Sequence, residues 1–181
     1  MTYCVKKTIA LVGMMGSGKT AVGSAMARLL AVPFRDSDTE IELAANRTIA
    51  ELFERDGEDF FRQKESQVLA RLLEGAPCIL STGGGSYLRD ENRRMISQRG
   101  VAVWLRASTG LLWNRVKHKS TRPLLRTADP RGTLEKLSEV RTPHYAMAEF
   151  IVDADPSYSI EDMANKVIRA LCTDSNILES Q

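Results

Sequence analysis

Residues 13–20, Gly-Met-Met-Gly-Ser-Gly-Lys-Thr, gather in eight positions the groups needed to handle nucleotide phosphates. Bare glycines let backbone N–H groups face phosphate oxygens, and a helix starting just after them adds positive potential. Lys19 is placed to reach the β- and γ-phosphates of a nucleotide, and Thr20 offers its hydroxyl to Mg²⁺. Gly13, Gly16, Ser17, Gly18, Lys19 and Thr20 are therefore the expected nucleotide-binding set. The run lies between the β-branched TIALVG and the helix-periodic KTAVGSAMARLLA, the strand–loop–helix context the motif requires. A glycine-rich turn that merely caps a helix is the alternative, and that context argues against it.

A pair of acids follows. FRDSDTE puts Asp36 and Asp38 two apart where a strand runs into a helix, and in doubly wound folds the carboxyl ends of the strands line the ligand crevice. Asp36 is expected to order the magnesium through water. Asp38 is left to accept hydrogen bonds from substrate hydroxyls or to take a proton from the attacking one. The plainer reading is a capping box of Ser37 and Glu40, with either aspartate favouring the helix N-terminus.

Three glycines, Gly83, Gly84 and Gly85, directly follow the apolar run CILS. Consecutive glycines cost backbone entropy and pack nothing, so something must need bare backbone there. Four arginines also stand in suggestive places. Arg62 has Glu65 three residues on, able to hold its guanidinium on the same helix face. Arg122 and Arg126 lie in a basic loop, and Arg141 sits where Pro143 is expected to end a helix. Taken singly, each reads as a solvated surface arginine.

Short apolar strands alternate with helices along the whole chain, without Asn-Gly or Asp-Gly hairpins between them. That pattern predicts an α/β fold with crossover connections and a parallel sheet covered on both faces. Thr48–Glu51 and Ser159–Asp162 fit capping boxes at helix starts. Two stretches look inserted, about 39–60 and about 117–133, the second rich in Lys, Arg, Thr, Pro and Gly; such segments often close over ligands. Residues 173–181 show no clear pattern and are expected to fray.

With 181 residues, 43% of them hydrophobic, the chain suits one domain. A net charge of +2 and no aromatic-basic cluster argue against nucleic acid as a partner. Three distant cysteines, Cys4, Cys78 and Cys172, read as unbridged thiols in a reducing compartment. Without a signal-peptide core or about 18 consecutive apolar residues, the expectation is a cytoplasmic protein with no membrane partner, acting as a monomer. GTPases are disfavoured because no N-K-x-D segment is present to read guanine, and motor or transport ATPases because CILS ends in serine and glycines rather than a magnesium-binding acid.

The order and separation of GMMGSGKT, DSD, FFRQKE, STGGG, TRPLL and VRTPHY resemble the shikimate kinase family, from about Thr8 to Leu171. The resemblance implies a P-loop kinase fold with a five-stranded parallel sheet, a substrate-binding insertion and a lid. It implies ATP and shikimate as substrates and Mg²⁺ as cofactor. By similarity, Arg62 and Arg141 would bind the shikimate carboxylate, supported by Glu65, and Gly83, Gly84 and Gly85 would lie against the substrate. Lys19, Asp38 and Arg122 would be catalytic: Asp38 as the grip on substrate hydroxyls and base, Arg122 as the lid arginine near the transferring phosphate. Thr20 and Asp36 would serve the metal, Arg115 would pack on adenine, and Ile49, Phe53 and Phe61 would form an apolar wall. Gluconate kinases share the P-loop and a D-x-D but follow it with L-H-P, where this chain has DTEIEL. The rivals from other classes are a non-catalytic nucleotide-binding module and a P-loop protein acting on nucleic acid.

Overall fold

A computed structural model describes residues 2–119 and 122–180. Five strands form one parallel sheet in the order β3-β4-β2-β5-β6: β2 (Thr8–Val12), β3 (Phe34–Asp36), β4 (Ile79–Ser81), β5 (Gly100–Arg106) and β6 (Phe150–Asp153). The central strand β2 is buried along its whole length, as a parallel strand covered on both faces must be. Its period of two divides the core. Ile9 and Leu11 join Val103, Leu105 and Val152 under α1 (Lys19–Leu30) and α7 (Ile160–Leu171). Ala10 and Val12 join Ala102 and Trp104 on the other face, with Leu69 of α3 (Ile49–Glu74), Ile96 of α4 (Asp90–Arg99), Leu112 of α5 (Thr109–Val116) and Leu134 and Tyr145 of α6 (Pro130–Tyr145). A smaller apolar cluster, Ile41, Leu52, Phe61 and Val68, joins α2 (Ser37–Ala45) to α3.

Both expected capping boxes form, at Thr48–Glu51 and Ser159–Asp162. Helix α3 is broken at Gly57, whose φ of 83° lies where an L side chain would be strained.

Three local expectations are corrected. Ser37 and Glu40 do not cap α2: Asp36 does, accepting from the N–H groups of Asp38 and Thr39. Pro143 does not end α6, which continues to Tyr145. A proline in the last turn forfeits a single backbone bond, and burial of Tyr145 in the core holds the turn in place. Residues 173–180 of the tail do not fray: Leu178–Ser180 forms β7, antiparallel to β1 (Tyr3–Val5), with Lys6 paired to Glu179 at 2.7 Å. Ile177 and Leu178 are buried, an anchorage to the other end of the chain that local pattern cannot reveal.

Candidate active site

The phosphate loop joins β2 to α1, and its glycines are there for backbone reasons. Gly13, Gly16 and Gly18 all have positive φ, at 142°, 79° and 97°. A Cβ on Gly16 would also stand 2.7 Å from Val116. Helix α1 (N-cap Gly18) has no side-chain cap and no acid in its first turn, which leaves its positive dipole end uncompensated beside the cavity that Gly18, Lys19 and Thr20 line. Lys19 folds back over the loop and donates to the carbonyls of Gly13 (2.8 Å) and Met14 (3.0 Å). Burial, then the nearby positive charge of Arg122, lowers its pKa to about 8.

Asp36, at the end of β3, serves two neighbours. One carboxylate oxygen caps α2, accepting from the N–H of Asp38 at 3.0 Å and of Thr39 at 3.2 Å. The other accepts from the Thr20 hydroxyl at 3.4 Å. The capping and metal-side readings of Asp36 are thus compatible. Asp38, in the first turn of α2, is pushed up to about 6, first by burial and then by the charges of Asp36 and Glu65. A cavity of ≈ 460 Å³ joins these groups: Lys19, Thr20, Asp36, Asp38, Arg115 and Arg122 all line it, with Gly83 and Gly84. Arg115 donates to the carbonyl of Gly16 at 3.0 Å, and the Arg122 Nε is buried without a hydrogen-bond partner among the described residues.

Distances explain the three glycines. A Cβ on Gly83 would stand 2.9 Å from the Asp38 carboxylate and 3.1 Å from that of Glu65. On Gly84 it would meet an Arg141 guanidinium nitrogen at 3.0 Å, and on Gly85 the Arg62 guanidinium at 2.6 Å. Each glycine therefore makes way for a charged side chain, a role the sequence reading did not foresee. The Gly83 N–H donates to the Ser37 hydroxyl at 3.1 Å.

Arg62 is held by Glu65 at 2.9 Å, as the spacing predicted. Burial raises the Glu65 pKa while the Arg62 charge opposes the rise. Arg141 is 7% exposed. Phe61 is buried in the α2–α3 cluster, with the Phe53 ring tilted against it at a centroid distance of 4.6 Å and Ile49 packed alongside.

Sequence reasoning missed Ser37 as the partner of Gly83, Tyr145, and the cavity-lining Asp155 and Tyr158. Tyr145 carried a signal: it lies one helical turn after Arg141, visible once α6 is allowed through Pro143. Asp155 and Tyr158 belong to the DADPSYS segment, which carries none of the motifs on which the resemblance rests.

Among the described residues no helix is long and apolar enough to cross a membrane, and no group of three or more His, Cys, Asp or Glu side chains is arranged to hold a metal ion. A hydroxyl and one carboxylate, Thr20 and Asp36, are nevertheless the kind of sparse protein ligation that suits a magnesium ion sharing its shell with phosphates and water.

Comparison with known proteins agrees with this geometry. The family model for shikimate kinase matches residues 15–172. A shikimate kinase from Ruegeria pomeroyi is 63% identical over 96% of this chain and 89% of its own length. One from Cereibacter sphaeroides is 61% identical over 97% of this chain and 88% of its own. Among solved structures, shikimate kinase from Acinetobacter baumannii in complex with shikimate superposes with a TM-score of 0.87 at 36% identity, covering 92% of this chain and 93% of that one. A gluconokinase from Sinorhizobium meliloti, at 18% identity and a TM-score of 0.64, shares the fold alone. The chain belongs to the shikimate kinase family and is a kinase with its P-loop fold.

Proposed function

We propose that the chain transfers the γ-phosphoryl group of ATP to the 3-hydroxyl of shikimate, giving ADP and shikimate 3-phosphate for aromatic biosynthesis. The observation that carries this reading is the convergence of two carboxylates, Asp38 and Glu65, and two guanidiniums, Arg62 and Arg141, on three bare glycines beside the phosphate loop. A planar carboxylate suits the guanidinium forks of Arg62 and Arg141, and a hydroxyl suits Asp38. Asp38 accepts the hydroxyl proton as the substrate oxygen bonds to the γ-phosphorus and the bond to the β–γ bridging oxygen breaks. A base poised near neutrality fits the pKa of about 6. Lys19 exchanges its two carbonyl partners for phosphate oxygens, and Arg122 stabilises charge on the group in flight.

Mg²⁺ would be held by Thr20 and, through water, by Asp36, and when bound it neutralises phosphate charge. Gly16, Ser17 and Gly18, which line the cavity, cradle the phosphates together with Gly13; Arg115 packs on adenine, and Gly83 and Gly84 of the cavity border the substrate with Gly85 beside them. The stretch about 117–133, of which 120 and 121 lie outside the described residues, would act as a lid that excludes water, and the 39–60 segment shapes the acceptor side. We place the enzyme in the cytoplasm as a monomer; the bulk charge of +2 offers nucleic acid no footing. Phosphorus and carbon NMR of the product tests the reaction: phosphate on the 3-hydroxyl is expected, and phosphate at another hydroxyl would overturn the assigned orientation.

A further inference from the structure

Tyr145 is fully buried, yet its hydroxyl sits among polar groups of the substrate side. It donates to the carbonyl of Gly84 at 2.6 Å. The guanidinium of Arg141 lies near the same hydroxyl oxygen, both within 4 Å of where a Cβ on Gly84 would stand, and its charge acts on the phenol. Donor arithmetic leaves one arrangement: a carbonyl can only accept, a guanidinium can only donate, and a phenol has one O–H with lone pairs to spare. The Tyr145 proton therefore points at Gly84 and its lone pairs face Arg141. Burial raises the Tyr145 pKa, so the proton stays in place at any working pH.

The ring itself is fixed by the core, against Trp104 at a centroid distance of 5.9 Å. Arg141 and Tyr145 lie one turn apart on α6 and so share a face. A Cβ on Gly84 would stand 3.0 Å from Arg141 and 3.8 Å from the Tyr145 oxygen, so glycine is what lets all three meet. A second tie runs in parallel: Arg93 donates to the carbonyls of Tyr87 and Leu88, each at 2.8 Å, and meets Nδ1 of His144 at 3.3 Å. It holds the glycine turn to α6 when a single hydroxyl is removed.

We propose that Tyr145 is a positioning residue whose hydroxyl couples the Gly84 carbonyl to the Arg141 guanidinium, fixing the height and angle at which Arg141 meets the substrate carboxylate. The proposal rests on the assignment of Arg141 to that carboxylate. Tyr145→Phe keeps the packed ring and removes the coupling. It is expected to raise the KM for shikimate about tenfold, the scale of one charge-assisted hydrogen bond, with kcat and the KM for ATP unchanged. In an Arg141→Ala background the same change should alter the initial slope kcat/KM for shikimate less than about twofold, because the group it acts through is gone. Arg141→Lys, with Tyr145 intact, should also raise the shikimate KM, since an ammonium lacks the planar fork that spans hydroxyl and carboxylate. An unchanged shikimate KM in Tyr145→Phe beside a large loss in Arg141→Ala would overturn the coupling and leave the carboxylate assignment standing. Equal losses toward ATP and shikimate, the same loss in the Arg141→Ala background, or full function in Arg141→Lys would also overturn it. Undiminished shikimate affinity in Arg141→Ala would overturn the assignment and the coupling together.

Discussion

Replacing Asp38 by asparagine should separate activity from stability, because the carboxylate sits where its charge is unwelcome. Its pKa rises from 3.8 to about 6, chiefly through burial and then through Asp36 and Glu65. At about 1.36 kcal/mol per unit, keeping Asp38 ionised at pH 7 costs the fold roughly 3 kcal/mol. The direction follows from the proton count: the folded state holds this proton more tightly than the unfolded one. Stability from Asp38 is therefore complete below about 3.8 and is lost as pH rises through about 6. Asparagine keeps the shape and carries no charge. After allowing about 1 kcal/mol for burial of its amide, Asp38→Asn should gain roughly 2 kcal/mol at pH 7, about 4–8 °C for a chain of this size. Turnover should fall on the order of 10²–10⁴-fold through loss of the base. Thermal unfolding of both proteins from pH 4 to pH 8, with ADP release measured beside it, reads both effects. The difference in melting temperature should be near zero at pH 4, grow up to about pH 6 and then stay level. A difference flat across that range, or turnover within a few-fold of the parent, would refute the reasoning.

Arg122→Ala should lower kcat on the order of 10³-fold with a smaller effect on shikimate binding, measured by steady-state kinetics and calorimetry. Normal turnover would remove its proposed role. Gly85→Ala is allowed by its backbone, at φ −90°, but puts a methyl 2.6 Å from the Arg62 guanidinium. The flexible arginine gives way, so kcat/KM for shikimate should drop roughly tenfold with little change in melting temperature; an unaltered value would mean that Arg62 is not held in a productive place. Leu178→Ala removes a buried side chain from the tail and should cost about 2–4 kcal/mol in denaturant unfolding without touching the KM values; no loss would show that β7 contributes nothing to the fold.

What the sequence made legible was local. Eight contiguous residues carry the phosphate loop, and β2 announces itself by an unbroken apolar run. The i, i+3 spacing of Arg62 and Glu65 was enough to predict their ion pair. The glycine run could be noticed, but its occupants could not be named, because Asp38, Arg62 and Arg141 reach it from three separate helices. Ser37 read as a helix cap because its partner Gly83 lies far along the chain. Tyr145 was hidden by the rule that proline stops helices, which tertiary packing overrides in the last turn of α6. The β1–β7 pair joins the two ends of the chain, and nothing in TDSNILESQ alone predicts it.

The central claim is that the charged groups around Gly83–Gly85 select shikimate as the acceptor. ADP release by the purified protein with ATP and Mg²⁺ should be compared for shikimate, gluconate and no acceptor. Stimulation by shikimate alone is the predicted result. Equal slow hydrolysis in all three, or stimulation by gluconate, would contradict the account.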